Sequence, residues 1–437
     1  MRKFVGLSTA ILLLFVPASH AANPNFSTKQ KALSDAGNFG VLRIISNNGS
    51  KAHAMDCKIS DGNQGFRSQK TFFVDSTNPE RLGVGIEFKG FYVSSDGGST
   101  WKMSSAGLIG YPQTSDSKKP CHTEFTTLVV DPQDSKHLLM SRSGEPGTIK
   151  DYFSENAGIY ESKNGGLNWK QILIQAGIGV YVHEGLAVSH QNPRVIYAGT
   201  TTNARTLNGD NKIYVKKGVI YKTTNGGKTW TELPTGAPRD IGVATIFVDP
   251  KNDQIVTAST FGRVKGADGN TFGPGLGIIK STDGGATWKR IDKLTKGFSV
   301  VEFSESNPQL ALGITYDSQV LSSIDGGATW KRSNGVFSVR SLSYFSSDSA
   351  TGQGLVVGDD GKVVMFENNG DSVTPVGQIP ELKGHATRAT RIAFGSDGSW
   401  YVAGHYTNNK SHQIGFVFKT TDRGTTWVKI LDTETLK

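Results

Sequence analysis

Three acidic residues stand just before short apolar runs and have the chemistry of catalytic carboxyl groups. Glu124 precedes "FTTLVV", Glu184 precedes "GLAV" and Asp240 precedes "IGVATIFV". Hydrolysis of a glycosidic bond needs two carboxyl groups placed across the scissile bond. We therefore take Glu124, Glu184 and Asp240 as the candidate catalytic residues, and the sequence leaves their separation open.

Basic residues occupy the same kind of position, before or at the start of an apolar run. Arginine offers carboxylate and sulfate groups a planar, bidentate partner. An alternative interpretation, in which these cations are only solvated or paired with the nearby acids, stays open. The candidate ligand-binding residues are Arg67, His183, Arg239, Arg340, Arg388 and Arg391.

These residues are far apart in the chain, so a repeated framework must bring them together. One octapeptide recurs six times, each time after a β-rich run. Its copies are "SSDGGSTW" ending at Trp101, "SKNGGLNW" at Trp169, "TTNGGKTW" at Trp230, "STDGGATW" at Trp288, "SIDGGATW" at Trp330 and "TTDRGTTW" at Trp427. Glycine supplies positive φ, and the Asp or Asn side chain accepts hydrogen bonds from the turn's own N–H groups. Each copy predicts a strand, a tight turn and a strand, anchored by a buried indole.

A second repeated turn, as in "FFVDSTNPERLGVG", lies upstream of most copies, so one repeat carries four strands. A degraded copy, with Val373 where the Trp would stand, brings the number of repeats to seven. These repeats predict an all-β fold, a single seven-bladed β-propeller of four-stranded blades over residues 39–437. Residues 22–38 are predicted to be a flexible N-terminal segment. The run "VLRIIS" at 41–46 is a candidate for a strand that pairs with the last blade.

The octapeptides resemble the Asp-box (BNR) repeat, S-x-D-x-G-x-T-W, of sialidases, xyloglucanase-type glycosidases, sortilin-type receptors and photosystem II assembly factors. In these families the repeat lies on a peripheral turn, away from the face that binds ligands. The resemblance therefore implies a structural role for the Asp-box positions and a functional site on the opposite face. "GFRSQK" around Arg67 keeps the Phe-Arg of a sialidase motif and loses its Ile-Pro. The Asp-box positions are Asp96, Asn164, Asn225, Asp283, Asp325 and Asp422.

Residues 1–21 have the pattern of an export signal. Arg2 and Lys3 precede an apolar run, and small residues stand at Ser19 and Ala21. We expect cleavage near Ala21/Ala22, a secreted or periplasmic protein, and no transmembrane segment. The two cysteines, Cys57 and Cys121, predict a disulfide in an exported chain.

The formal net charge of +9 favours anionic partners. Its lysines and arginines are spread along the chain, without the clusters of a nucleic-acid module, which argues against nucleic acid as a partner. The sequence contains no H-E-x-x-H motif and no phosphate-cradling loop, and we predict neither a metal site nor a cofactor.

Two functions follow from these residues. In the first, a basic central funnel binds an extracellular, anionic glycan or acidic polymer. Where two acids face each other, it would also hydrolyse the glycan, as a sialidase-like or xyloglucanase-type glycoside hydrolase. In the second, the ring is a non-catalytic module that binds a protein partner, similar to the photosystem II assembly factors. The sequence leaves the choice between them, the sugar and the oligomeric state open.

Overall fold

The structure is a computed structural model, and it describes residues 63–64, 71–86, 89–108, 125–142, 158–174, 185–200, 205–206, 213–214, 218–235, 241–264, 271–273, 276–294, 297–315, 319–332, 354–358, 360–367, 372–408 and 413–436. The predicted signal peptide, the segment 22–38, the run 41–46 and both cysteines lie outside these residues. The predictions made for them therefore stay predictions.

The described part of the chain consists almost entirely of antiparallel strands that pair with their neighbours in sequence. A short strand, β1 (Asn63–Gln64), precedes the first blade. Blade 1 contains β2 (Phe72–Val74), β3 (Leu82–Ile86), β4 (Gly90–Ser94) and β5 (Lys102–Met103). Blade 2 contains β6 (Phe125–Asp131), β7 (Asp134–Arg142), β8 (Gly158–Ser162) and β9 (Lys170–Ile174).

The next three blades have the same strand order, and two of them carry additional short strands. Blade 3 contains β10 (Leu186–Val188), β11 (Ile196–Gly199), β14 (Ile220–Thr223) and β15 (Thr231–Leu233), with a separate hairpin of β12 (Arg205–Thr206) and β13 (Ile213–Tyr214). Blade 4 contains β16 (Ile241–Val248), β17 (Val256–Val264), β19 (Ile278–Ser281) and β20 (Lys289–Arg290), with β18 (Thr271–Gly273) paired to β17. Blade 5 contains β21 (Phe298–Phe303), β22 (Ala311–Thr315), β23 (Val320–Ser323) and β24 (Lys331–Arg332).

The predicted number of seven four-stranded blades is wrong, because the described residues form six. The degraded repeat forms a three-stranded sheet of β25 (Gly354–Val357), β26 (Lys362–Glu367) and β27 (Ser372–Gln378). Its repeat has Val373 where the other six have the Trp that anchors the turn, and the residues around Arg340 lie outside the described ones. A 3₁₀ helix (Pro380–Leu382) leads from this sheet to the last blade. The last blade contains β28 (Ala386–Phe394), β29 (Trp400–Thr407), β30 (Gln413–Thr420) and β31 (Val428–Asp432).

The first strand of each blade lies innermost, and these strands follow one another around an axis. Strand β2 contacts β6, β6 contacts β10, β10 contacts β16, and β16 contacts β21. Strand β2 also contacts β28 of the last blade, so the ends of the series meet. This arrangement is a β-propeller, as the repeats predicted.

The first and last blades are joined by a shared apolar core and by side-chain hydrogen bonds. Phe72 and Val84 of blade 1 pack with Tyr401 and Leu431 of the last blade. The Trp101 indole donates its Nε1–H to the carbonyl of Ile430 at 2.8 Å. Strand β1 adds a parallel pairing to the start of β30. The closure is thus made by non-covalent contacts between residues from both ends of the described chain.

The two ends of each blade carry different connections. At one end, which we call the turn face, lie the turns between the first two strands and the Gly-Gly turns between the last two. The two kinds of turn touch, since the N–H of Gly97 donates to the carbonyl of Glu80 and that of Gly284 donates to the carbonyl of Gln254, both at 2.9 Å. The other end, which we call the loop face, carries the connections between blades and the long middle connections.

Candidate ligand-binding site

The Gly-Gly turns use their polar groups internally. In blade 1, Ser94 Oγ donates to Asp96 Oδ1 at 2.7 Å, and the Gly98 N–H donates to Ser94 Oγ at 2.9 Å. Thr100 donates to the Asp96 carboxylate through its N–H at 2.9 Å and its hydroxyl at 2.5 Å. These hydrogen bonds, led by that of the Thr100 hydroxyl, lower the pKa of Asp96 to about 2. An acid held this firmly in its ionised form cannot act as a proton donor near neutral pH.

The other five turns repeat this geometry. Hydrogen bonds from Thr287 and Ser281 lower the pKa of Asp283 to about 2, and those from Thr426 and Thr420 do the same for Asp422. Asp325 accepts hydrogen bonds from Thr329 at 2.9 and 2.5 Å. In the two remaining turns, Asn164 accepts from the N–H of Asn168 at 2.9 Å and Asn225 from that of Thr229 at 3.0 Å.

Each turn also packs on the preceding sheet through its second glycine. A Cβ on Gly98 would meet Ile430, one on Gly227 would meet Ile172, and one on Gly285 would meet Leu233. The indoles fill the same seams: Trp230 donates to the carbonyl of Ile172 at 3.3 Å, in the blade before its own. The turn face is therefore a packing surface, and we look for a ligand site on the loop face.

Most of the predicted site residues lie outside the described residues. These are the three candidate acids Glu124, Glu184 and Asp240, and four of the basic residues, Arg67, His183, Arg239 and Arg340. The structure therefore does not test whether they converge. It does place Arg388 and Arg391 together on β28, the innermost strand of the last blade.

The loop end of the last blade also carries aromatic and imidazole residues. Arg388 is the register partner of His405 on β29, and Thr387 is the partner of Tyr406. The ring centroids of His385 and Tyr406 lie 5.0 Å apart, tilted by 51°, and both residues are partly exposed. His405 is buried. A partly exposed aromatic pair of this kind can stack on a sugar ring.

Ion pairs fix the outer side of this loop end. Lys429 Nζ lies 2.8 Å from Glu381 Oε2, in the 3₁₀ helix, and 3.0 Å from Asp432 Oδ2. Burial lowers the pKa of Lys429, but its hydrogen bonds to Glu381 and Asp432 outweigh this and raise it. Burial, followed by the negative charge of Asp432, raises the pKa of Tyr406. The Tyr406 hydroxyl is therefore a neutral hydrogen-bonding group at physiological pH.

Lys89 connects the neighbouring blade to this end. Its ammonium, from the connection between β3 and β4, donates to the carbonyl of Thr433 at 2.5 Å. Burial lowers the pKa of Lys89, and the charges of Asp432 and Glu434 partly offset this. Sequence reasoning missed Lys89, whose partner is 344 residues away, and it missed the pair of Glu381 and Lys429, which joins two separate segments of the chain.

β-bulges near the loop face are a second feature that the sequence did not predict. The register shifts between Val243 and Thr245 in β16, between Phe298 and Val300 in β21, and between Ala389 and Arg391 in β28. All three bulges lie in the loop-face half of an innermost strand. Bulges re-aim side chains and are common beside functional sites. Arg391 comes directly after the extra residue of the bulge in β28.

The long middle connections of blades 3 and 4 are partly strands. Tyr214 lies in the hairpin of blade 3 and Phe272 in β18 of blade 4. Within the described ranges, no three His, Cys, Asp or Glu side chains gather closely enough to hold a metal ion. No helix in this part of the chain has the length and apolar character needed to cross a bilayer.

No family model matches the chain. Among curated proteins, it is similar to a xyloglucanase of Acetivibrio thermocellus, with 30% identity over 141 residues. That stretch is 31% of this chain and 15% of the xyloglucanase. The similarity therefore covers a small part of a much longer protein.

The fold is similar to that of solved glycosidase structures. An ancestral GH74 enzyme superposes with a TM-score of 0.59 at 14% identity, over 84% of this chain and 46% of that enzyme. A structure of YCF48 bound to a D1 peptide gives a TM-score of 0.49 at 13% identity, over 72% of this chain and 82% of that one. The first comparison supports the fold alone, and the second is too weak to carry an argument. The chain is thus an all-β propeller with four-stranded antiparallel blades, and its function is a matter for proposal.

Proposed function

We propose that this protein is an exported propeller that binds an extracellular, anionic glycan on its loop face. The observation that carries the proposal is the partly exposed His385–Tyr406 pair at the loop end of the last blade, on the strand pair that also carries Arg388. Aromatic rings stack on sugar rings, and arginine binds uronate or sulfate groups through two parallel hydrogen bonds. Partial sequence similarity to a xyloglucanase agrees with a carbohydrate ligand.

The remaining candidate residues extend the proposed site around the loop face. In this proposal Arg67, His183, Arg239, Arg340 and Arg391 complete the basic funnel. The six turns, five with Gly-Gly and one with Arg423-Gly424, are proposed to be Asp-box turns with a structural role, in keeping with their internal hydrogen bonds. Residues 1–21 are proposed to be a cleaved signal peptide, and Cys57 and Cys121 to form a disulfide. Mass spectrometry of the purified protein with and without a reductant tests both points.

Binding is tested by isothermal titration with oligogalacturonate, an anionic glycan, and with xyloglucan oligosaccharides, which are neutral. We expect Tyr406→Ala and Arg388→Ala to weaken oligogalacturonate binding about tenfold each, because each removes one major contact. Lys228→Ala, at an exposed position of a turn of blade 3, is the matched control and should bind like wild type. Equal affinity of all four proteins would overturn the proposed site.

Hydrolysis depends on whether two of the acids Glu124, Glu184 and Asp240 face each other. A screen with fluorogenic glycosides, repeated on Glu124→Gln, Glu184→Gln and Asp240→Asn, tests this. Loss of activity in two of the three variants would identify the carboxyl pair. If all three variants keep full activity, these residues are not catalytic.

The second candidate is a non-catalytic ring that binds a protein partner. One observation favours it: the acids described at the loop end, Glu381 and Asp432, both pair with Lys429 and are thus engaged in local structure. Binding of the glycans without hydrolysis would indicate that the protein is a carbohydrate-binding module. Failure to bind any glycan would favour the protein partner.

A further inference from the structure

The outer edges of blades 4 and 5 carry a concentration of positive charge that the proposed loop-face site does not use. The outermost strand of each blade begins with a Lys-Arg pair directly after the turn Trp, as Lys289-Arg290 and Lys331-Arg332. All four residues are exposed. Lys280 and Lys293 lie in the same two blades, which gives six cations in residues 276–294 and 319–332 against three carboxylates.

The three carboxylates are already engaged in local structure. Asp283 and Asp325 accept the hydrogen bonds of their own turns. Asp292 is buried, accepts from the N–H groups of Ile278 and Leu294, and pairs with Arg290 at 3.2 Å. Among the described residues, Lys280, Lys289 and Arg332 form no ion pair. Their charge is therefore available to a partner.

One strand pair places like charges opposite each other. Lys280 on β19 is the register partner of Lys289 on β20. Like charges directly opposite in an antiparallel pair destabilise the sheet. At the same position in blade 2 the pair is Glu161 and Lys170, which attract each other. Blade 4 thus keeps an unfavourable pair where another blade has a favourable one, as expected if the charge serves a ligand.

The cations of the two blades form one continuous surface. Ile291 and Leu294, which follow Lys289-Arg290, pack in the same apolar cluster as Trp330, which precedes Lys331-Arg332. A Cβ on Gly326 of the blade 5 turn would lie 3.7 Å from Lys280 Nζ. The two Lys-Arg pairs are therefore neighbours across the seam between the blades. We call these six residues, Lys280, Lys289, Arg290, Lys293, Lys331 and Arg332, the basic edge.

We propose that the basic edge binds a linear polyanion, an acidic polysaccharide that lies across the outer strands of blades 4 and 5. A flexible chain with one anionic group per residue can follow two neighbouring strand edges, and it can bind several cations at once. A flat anionic bilayer is the alternative partner with the same charge, and the test below distinguishes the two. The proposal goes beyond the loop-face site and does not depend on it.

The test compares the variant K289S/R332S with the control K102S/K228S, which removes two exposed lysines from blades 1 and 3. The probe is dextran sulfate, measured by fluorescence anisotropy at two salt concentrations. Because exposed charge pairs each contribute modestly, we expect the basic-edge variant to bind about tenfold more weakly and with a smaller salt dependence. The control should bind like wild type.

Equal weakening in both double variants would show that only net charge matters and would overturn the proposal. The protein could instead cosediment with phosphatidylglycerol vesicles in a way that depends on Lys289 and Arg332, and fail to bind dextran sulfate. That result would overturn the polysaccharide and indicate a membrane surface as the partner. Both double variants leave the residues of the loop-face site intact, so a difference in binding between them is due to the basic edge. Thermal unfolding of each variant shows that the substitutions leave the fold intact.

Discussion

The Gly-Gly turns and the loop end of the last blade use polar groups in different ways. In the turns, the partners of Asp96 and its equivalents are two to four residues away. At the loop end, Lys89 bonds to Thr433 across 344 positions, and Lys429 holds an acid from the preceding connection. The internal hydrogen bonds repeat in all six turns, whereas these contacts at the loop end join separate segments of the chain. The turns are thus a repeated element of the fold, and the loop end of the last blade has its own set of contacts.

The largest expected effect tests whether the turns act as packing elements. Gly227→Ala should lower the free energy of unfolding by about 3 kcal/mol, from strain at positive φ and from overpacking. Its φ is +79°, and the new Cβ would lie 2.7 Å from Ile172 Cδ1. Urea denaturation measures the loss.

Gly226→Ala is the matched control for that substitution. Its φ is +69°, but no atom lies within 4 Å of the new Cβ. We expect a loss of about 1 kcal/mol, from backbone strain alone. Equal losses in the two variants would show that the contact between the turn and blade 2 contributes nothing.

A smaller effect is expected when the long-range pairing at the loop end is broken. Lys429→Met leaves Glu381 and Asp432 without their shared cation, and the free energy of unfolding should fall by about 1 kcal/mol. The control is Lys362→Met, which removes an exposed pair of 2.7 Å with Asp360 and should be nearly neutral. A larger loss in the control than in Lys429→Met would contradict the view that the loop end depends on distant partners.

His137 provides a pH-dependent test in blade 2. Its Nδ1 lies 2.7 Å from Asp131 and its Nε2 lies 2.9 Å from Glu161. These contacts raise the pKa of His137, and the hydrogen bond with Glu161 is the largest cause. The folded state therefore binds the proton more tightly than the unfolded state. This stabilisation is complete below pH 6.5 and is lost as the pH rises through the folded pKa.

We expect the thermal midpoint of wild type to fall by a few degrees relative to His137→Gln between about pH 6 and pH 9. The glutamine variant cannot titrate in this range, so its profile supplies the reference. Parallel profiles of the two proteins would mean that His137 is not protonated in the folded state.

The smallest effect concerns the turn of the last blade, where Arg423 replaces the first glycine. Arg423 has a φ of 56°, in the region that disfavours residues with a Cβ. Arg423→Gly should raise the free energy of unfolding by about 0.5 kcal/mol, because relief of strain exceeds the added flexibility of the unfolded chain. Arg423→Ala keeps the strain and should not stabilise. Stabilisation by alanine as well would point to the arginine side chain rather than to the backbone.

The difference between the two regions also explains how much could be predicted. The octapeptides specify their own turns, since the serine, the acid, the two glycines and the tryptophan are all within eight residues. They predicted the propeller and its four-stranded blades. The blade number was wrong, because the degraded repeat keeps three recognisable strands and lacks the tryptophan that identifies a unit.

The loop face could be predicted only in outline. Arg388 and Arg391 were found because they begin an apolar run, whereas Lys89, Glu381 and Lys429 had no such signal. The basic edge was missed for another reason. Its Lys-Arg pairs are visible in the sequence, but their position on adjacent outer strands, with Lys280 opposite Lys289, follows only from the register of the sheets.

The contact between Trp101 and Ile430 has a consequence for how the chain reaches its folded state. The Trp101 indole lacks its native acceptor until residue 430 has been synthesised, and Phe72 and Val84 lack part of their apolar contacts for as long. Domains with such distant contacts fold slowly and expose apolar surface while they wait. Blade 1, although made early, is therefore expected to be among the last blades to become protected from hydrogen exchange during refolding.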